Sequence, residues 1–298
     1  MSKKYRSMIV LGILYLVSIL IGVLVFLNLD SLSLILRLLI ADLAATLVIW
    51  IFSLVIKNAS AYDPYWSVIP PVILILLFFH LGLSSSFPIY LMIAGLSVWS
   101  LRLTYNWAKN WNGFNEQDWR YTIMYQKSPK LFFLTNLFGI QIFPTLIVFI
   151  QLIGAVYFMS ADPSLTIFTW IGFTIMVAAA IIQFVADGQM RLFKERTKGQ
   201  KLCIEEGLWK YSRHPNYFGE VMVWWGLYVI YFGSVMKLDL LLLAPIAMTS
   251  LFIFVSIPWM EKKIIQTRPE YKEYQKRVSK LIPFFRKEEN NHKIHENA

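Results

Sequence analysis

One cysteine, Cys203, in 298 residues leaves no intramolecular disulfide and no cysteine-built zinc cage. Histidine is also scarce. His292 and His295 sit in a polar tail, and His80 and His214 are far apart, so no metal-ligand spacing is present. Charged residues make up only 15% of the chain, against roughly 25% in soluble domains. The usual nucleotide and nucleophile signatures are missing too: no G-x-G-x-x-G at a strand–helix junction, no G-x-x-x-x-G-K and no G-x-S-x-G. A nucleotide would therefore have to be held by helices and loops. No internal repeat of roughly 20–50 residues marks a solenoid.

What the chain has in abundance is apolar length. Hydrophobic residues reach 57% and aromatics 16%, and a bilayer core needs about 20 mainly apolar residues per helix. Eight stretches qualify, at about 8–27, 34–56, 66–83, 88–108, 131–159, 164–186, 216–233 and 240–258. The expected fold is all-α, a polytopic membrane helix bundle. The first stretch follows Lys3, Lys4 and Arg6, lacks a small-residue cleavage site and reads as a retained anchor. Gly139 and Pro144 predict an irregular fifth span.

The connectors alternate. Segments 28–33, 84–87, 160–163 and 234–239 are short and nearly free of cations, whereas 57–65, 109–130, 187–215 and both ends carry almost all of them. Apart from Arg37 and Lys237, every Lys and Arg falls on one side, so the positive-inside rule places both termini in the cytoplasm. That asymmetry accounts for the formal net charge of +10 and removes the need to invoke nucleic acid. The expected organisation is N-terminal helices over 1–57, a catalytic membrane domain over 58–286 and a disordered tail over 287–298.

A charge at the centre of a membrane helix costs roughly 2.5–3.5 kcal/mol on insertion scales, so polar residues near spans point to cavities. Gln183, Asp187, Arg191 and Lys194 recur at helical spacing on one stripe. They suit either a pocket wall for a charged ligand or a helix end with an Asp–Arg pair. In Tyr211-Ser212-Arg213-His214-Pro215-Asn216-Tyr217-Phe218-Gly219-Glu220, a helix starting near Pro215 stacks Asn216 and Glu220 on one face and sets Arg213 and His214 at its mouth. Capping alone does not explain Glu220, one turn inside an apolar helix. Gly219 permits close approach of a neighbour. Asp63-Pro64 fits a helix start as well as a proton donor or substrate anchor. Arg102, Tyr105, Asn106 and Lys109 close the fourth span, followed by the polar, aromatic segment 113–121.

These residues resemble a known superfamily. Asp187 with Arg191, Glu206-Gly207-Leu208-Trp209, Arg213 through Glu220, Pro269-Glu270-Tyr271-Lys272-Glu273-Tyr274 and Leu281-Ile282-Pro283-Phe284 are similar to the C-terminal half of steroid 5α-reductases, and closest to their bacterial membrane relatives. The similarity extends over about 55–285, with Asp63-Pro64-Tyr65-Trp66 and Asp118-Trp119-Arg120-Tyr121. The resemblance implies a bacterial inner-membrane reductase with a cavity open to the cytoplasm. NADPH would be held by Gln183, Asp187, Arg191, Lys194, Arg213, His214, Asn216, Tyr217 and Glu220, and hydride would pass to an enone-type, lipid-like substrate. The carbonyl-polarising tyrosine of the steroid enzymes aligns with Trp99. The expected catalytic set is therefore Asp63, Tyr105 and Glu220, with Tyr62 as a substitute acid. Isoprenylcysteine carboxyl methyltransferases carry a similar Arg-His-Pro-x-Tyr-x-Gly run. Glu261 and Arg268 through Pro283 fit their pattern, which makes S-adenosylmethionine the alternative cofactor.

Overall fold

A computed structural model describes residues 2–83 and 86–286. Among them there are helices and no strand, and eight helical segments are long and apolar enough to cross a membrane. The expected tail over 287–298 lies outside the described residues.

The spans are α1 (Lys3–Leu27), α2 (Leu34–Val55), a 3-10 turn Ala59–Tyr62 running into α3 (Tyr65–His80), and α4 (Phe87–Asn110). The short α5 (Trp119–Lys127) then precedes the fifth span, which passes through α6 (Phe132–Leu134), a π-helical stretch Thr135–Ile142 and α7 (Phe143–Ser160). The sixth and seventh are α8 (Ile167–Arg196) and α9 (Pro215–Val235). The eighth joins α10 (Leu243–Leu251), a π-helical stretch Phe252–Ser256 and α11 (Ile257–Thr267), ahead of α12 (Tyr271–Arg277).

Two departures from the expected boundaries share one cause. The fifth span is irregular and the eighth runs to Thr267 instead of ending near 258. In each, a π-helical stretch lies just before a proline, Pro144 or Pro258. Proline lacks an N–H and crowds the carbonyl four residues back. A widened turn absorbs that mismatch without ending the helix.

The chain divides into two compact units. Unit 1 comprises 1–173 and 227–244; unit 2 comprises 174–226 and 245–298. In unit 1, α1 packs on α2 and α3 on α4 and α7. Arg37, a cation on the otherwise cation-poor side, donates from Nε and Nη2 to the Phe26 carbonyl at 3.2 and 2.9 Å, and its guanidinium lies 4.3 Å from the Phe26 ring centre. It thus satisfies the carbonyl end of α1, where positive charge is favoured. Unit 2 has small apolar clusters, one of Ala186, Ile204 and Trp209 and another of Val221, Ile257 and Leu281.

Candidate functional site

The start of α9 is built by the loop before it. Ser212 Oγ accepts the His214 N–H at 3.1 Å, Pro215 begins the helix, and the Phe218 N–H returns to the His214 carbonyl at 3.0 Å. Proline costs nothing at a first helical position, where the N–H has no intrahelical partner. Gly219 then allows α9 to meet α8 closely. A Cβ there would stand 2.4 Å from Gln183 Cγ and 2.7 Å from the Ala179 carbonyl oxygen.

That contact assembles four of the expected residues. Gln183 Nε2 donates to Glu220 Oε2 at 2.7 Å and to the Asn216 carbonyl at 3.2 Å, and Asn216 Nδ2 approaches Asp187 Oδ1 at 3.5 Å. Both partners of the Gln183 amide nitrogen are acceptors, so the amide cannot be flipped. Its Oε1 is therefore left buried without a hydrogen-bond partner among the described residues, and so is Asn216 Oδ1. Gln183 is 2% exposed and Glu220 4%. Further along the stripe Arg191 is half-buried and Lys194 exposed. The result is an acceptor-rich patch with cations one and two turns away.

Arg213 and His214 are engaged elsewhere. Arg213 Nε donates to Glu261 Oε1 at 2.8 Å, and its Nη1 donates to the carbonyls of Gln275 and Val278 at 2.7 and 3.0 Å. His214 Nε2 is 3.1 Å from the same Glu261 oxygen, Tyr271 donates to it at 3.1 Å, and Gln275 Nε2 donates to Oε2 at 2.7 Å. Burial lowers the His214 pKa against the opposing pull of Glu261. The neutral ring then carries its proton on Nε2, where Glu261 accepts it. Burial, followed by Glu261, raises the Tyr271 phenol above its ordinary range. Tyr217 stacks on the His214 ring at 5.3 Å and meets Phe252 of the π-helical stretch at 5.0 Å. The hub fastens the loop before α9 to α11 and α12, with the Arg213 N–H on the Ser279 carbonyl at 2.9 Å as a further tie.

In unit 1 the Asp63 region is a second polar assembly. The 3-10 turn runs directly into α3, with Pro64 at the cap position and no side-chain cap bond, so Asp63 does not cap α3. Its Oδ1 accepts from the Tyr121 hydroxyl at 2.6 Å, and burial, then Asp63, raises the Tyr121 pKa. Asn58 holds segment 113–118 onto this turn through the carbonyls of Phe114 and Glu116 at 2.9 and 3.0 Å. Tyr62 is buried and shares a 2.7 Å bond with Thr145 Oγ1. Trp99 is fully buried against the edge of Trp66. Tyr105 is 59% exposed.

Sequence reasoning gave no functional weight to Asp42, took Tyr121 only as part of the segment 113–121, and weighed Glu261 only as part of a methyltransferase-like pattern. A lone carboxyl inside the apolar run of α2 was signal enough for Asp42. Two partners of Glu261, His214 and Arg213, lie 47 and 48 residues back in the chain, a distance at which spacing carries no signal.

A family model described as "Protein of unknown function (DUF1295)" matches residues 49–278. An uncharacterised protein of Schizosaccharomyces pombe is 27% identical over 264 residues, 79% of this chain and 76% of its own. Methanethiol S-methyltransferase 1 of Bradyrhizobium diazoefficiens is 39% identical over 80 residues, 26% of this chain and 25% of its own. No solved structure matches.

Proposed function

We propose that this chain, which belongs to the DUF1295 family, is a membrane-embedded reductase that takes its reducing power from NADPH and acts on an enone-type, lipid-like substrate. The observation that carries the proposal is the pair of buried, unused acceptors, Gln183 Oε1 and Asn216 Oδ1, beside the Glu220 carboxyl. Buried acceptors are costly unless a donor meets them, and the carboxamide and ribose hydroxyls of a nicotinamide nucleotide are such donors. Asp187 extends the acceptor set toward a ribose, while Arg191 and Lys194 supply charge for phosphates. Tyr217 gives an aromatic wall. Arg213 and His214, both tied to Glu261, act as positioning residues that hold the start of α9.

When bound, NADPH supplies the hydride that saturates the C=C bond. The protein's own part is to exclude water, orient the two reactants and return a proton. Asp63, hydrogen-bonded to Tyr121, is the carboxyl group of unit 1 suited to proton delivery. On this reading the cation-rich segments and both termini face the cytoplasm, in a bacterial inner membrane. A second reading, methyl transfer from S-adenosylmethionine, draws on the Bradyrhizobium relative, a methanethiol S-methyltransferase.

The two separate cleanly in one assay. Membranes containing the chain are incubated with lipid extract and either NADPH deuterated at the transferring position or S-adenosylmethionine carrying a deuterated methyl group. The reductase reading requires a lipid product that gains one deuterium and one hydrogen, and products carrying a labelled methyl group would replace it with the second reading.

A further inference from the structure

Unit 1 contains a half-open cleft between the α1–α2 hairpin and α3. Its walls are apolar: Ile19 and Val23 from α1, Leu38 from α2, Ile73 and Leu76 from α3. Tyr15 meets Tyr65 edge-to-face at 5.8 Å, and Phe26 meets His80 at 4.9 Å. On α3 the lining runs from Tyr65 to Leu76, eleven residues apart, so the cleft is roughly 16 Å long at about 1.5 Å per residue.

One carboxyl interrupts this lining. Asp42 is 6% exposed and sits nine residues into the 22-residue α2, roughly 12 Å along a helix of bilayer length. Its Oδ1 accepts from the Tyr65 hydroxyl at 3.0 Å, and Oδ2 receives no hydrogen bond among the described residues. Arg37, one and a half turns away on the same helix, is already occupied by the Phe26 carbonyl. A carboxyl oxygen in hydrocarbon finds no water to satisfy it, and ionisable groups at that depth mark ligand paths.

We infer that the cleft is a lipid-binding subsite for a neutral long-chain alcohol, whose hydroxyl donates to Asp42 while its chain lies between α1 and α3. A second donor, on Oδ2, is what Asp42 lacks among the described residues. A second full charge would have to be desolvated against walls that offer it no other partner, so a neutral hydroxyl fits better than an ammonium. This subsite lies within unit 1 and does not rest on the NADPH reading.

The test uses the full chain in phosphatidylcholine nanodiscs and a photoreactive hexadecanol, with the hydroxyl-free photoreactive hexadecane as control. Peptides from α1 and α3 facing the cleft should be labelled by the alcohol, with unlabelled hexadecanol competing and hexadecane not. Asp42→Leu should cut this labelling about 10-fold, the loss of one good hydrogen bond, and Asp42→Asn should retain most of it. Val72→Trp, which fills the rim and leaves Asp42 in place, should abolish it and decides the matter if Asp42→Leu does not fold. Equal labelling by both probes, or unchanged labelling in Asp42→Leu or Val72→Trp, overturns the inference.

Discussion

Unit 2 carries two polar assemblies that begin within a few residues of each other in sequence and are finished differently. Around Glu261, both carboxyl oxygens accept hydrogen bonds, and Arg213, His214, Tyr271 and Gln275 all converge there. Around Glu220, the amides of Gln183 and Asn216 are committed through their nitrogens while their oxygens stay buried and unused. A saturated buried network fixes the fold, and an unsaturated one costs stability unless something outside the chain completes it. Charge type alone does not tell them apart. Arg213 and His214 are the residues a sequence reading assigns to an anionic ligand, and both are tied to Glu261.

If that division is right, the largest loss of stability follows from opening the hub. Glu261→Ala leaves Arg213 buried without its carboxylate, and breaking such a pair costs about 3–5 kcal/mol. Thermal unfolding in detergent should show a large drop in Tm. A normal Tm together with weakened cofactor binding would move the hub into the binding site and dissolve the distinction.

A smaller effect is expected where α8 and α9 touch. Gly219→Ala places a methyl group against Gln183 and a backbone carbonyl, overpacking worth about 1–3 kcal/mol. Its Tm should fall and its cofactor affinity should fall with it, because the same contact sets the Gln183–Glu220 bond. Unchanged affinity would separate the packing from the patch.

The amide patch itself should respond in the opposite way to the hub. Asn216→Ala removes a part-buried amide whose one side-chain bond is the 3.5 Å approach to Asp187, so stability should change by less than about 1 kcal/mol while nucleotide affinity falls about 10-fold. Paired calorimetric and unfolding measurements check both halves.

The smallest effect is that of pH. The folded His214 pKa lies below the unfolded value of about 6.5, so the folded state binds fewer protons through that range. Stability is therefore kept above about pH 6.5 and declines as pH falls through that value toward the folded one. His214→Gln should flatten this part of the Tm-against-pH curve, and an identical curve would remove His214 as its source.

How much of this was legible in the sequence depends on range. All eight spans could be read, because a lipid-crossing helix must announce itself with about 20 apolar residues. The boundary at Thr267 could not, because a π-helical turn let α11 pass through Pro258. The meeting of Gln183, Asp187, Asn216 and Glu220 was legible from two helical stripes and a glycine, since i, i+4 spacing fixes which side chains share a face. Engagement of Arg213 and His214 by Glu261 was not, because tertiary pairing across nearly fifty residues leaves no periodic trace. Tyr105 and Asp63 looked alike as acids on paper. Burial separates them, with one exposed and the other bonded to Tyr121.

On the proposed function, the patch beside Glu220 takes a nucleotide and the hub at Glu261 does not. The most direct test is calorimetric titration of NADPH into detergent-purified wild-type chain and the Asn216→Ala and Tyr271→Phe variants, with Tm recorded for each. Tyr271→Phe removes one bond to Glu261 without stranding a charge. Saturable wild-type binding, weakened about 10-fold in Asn216→Ala at unchanged Tm and preserved in Tyr271→Phe at lowered Tm, is the result expected. Normal binding in Asn216→Ala, or binding lost in Tyr271→Phe at full stability, would contradict the account.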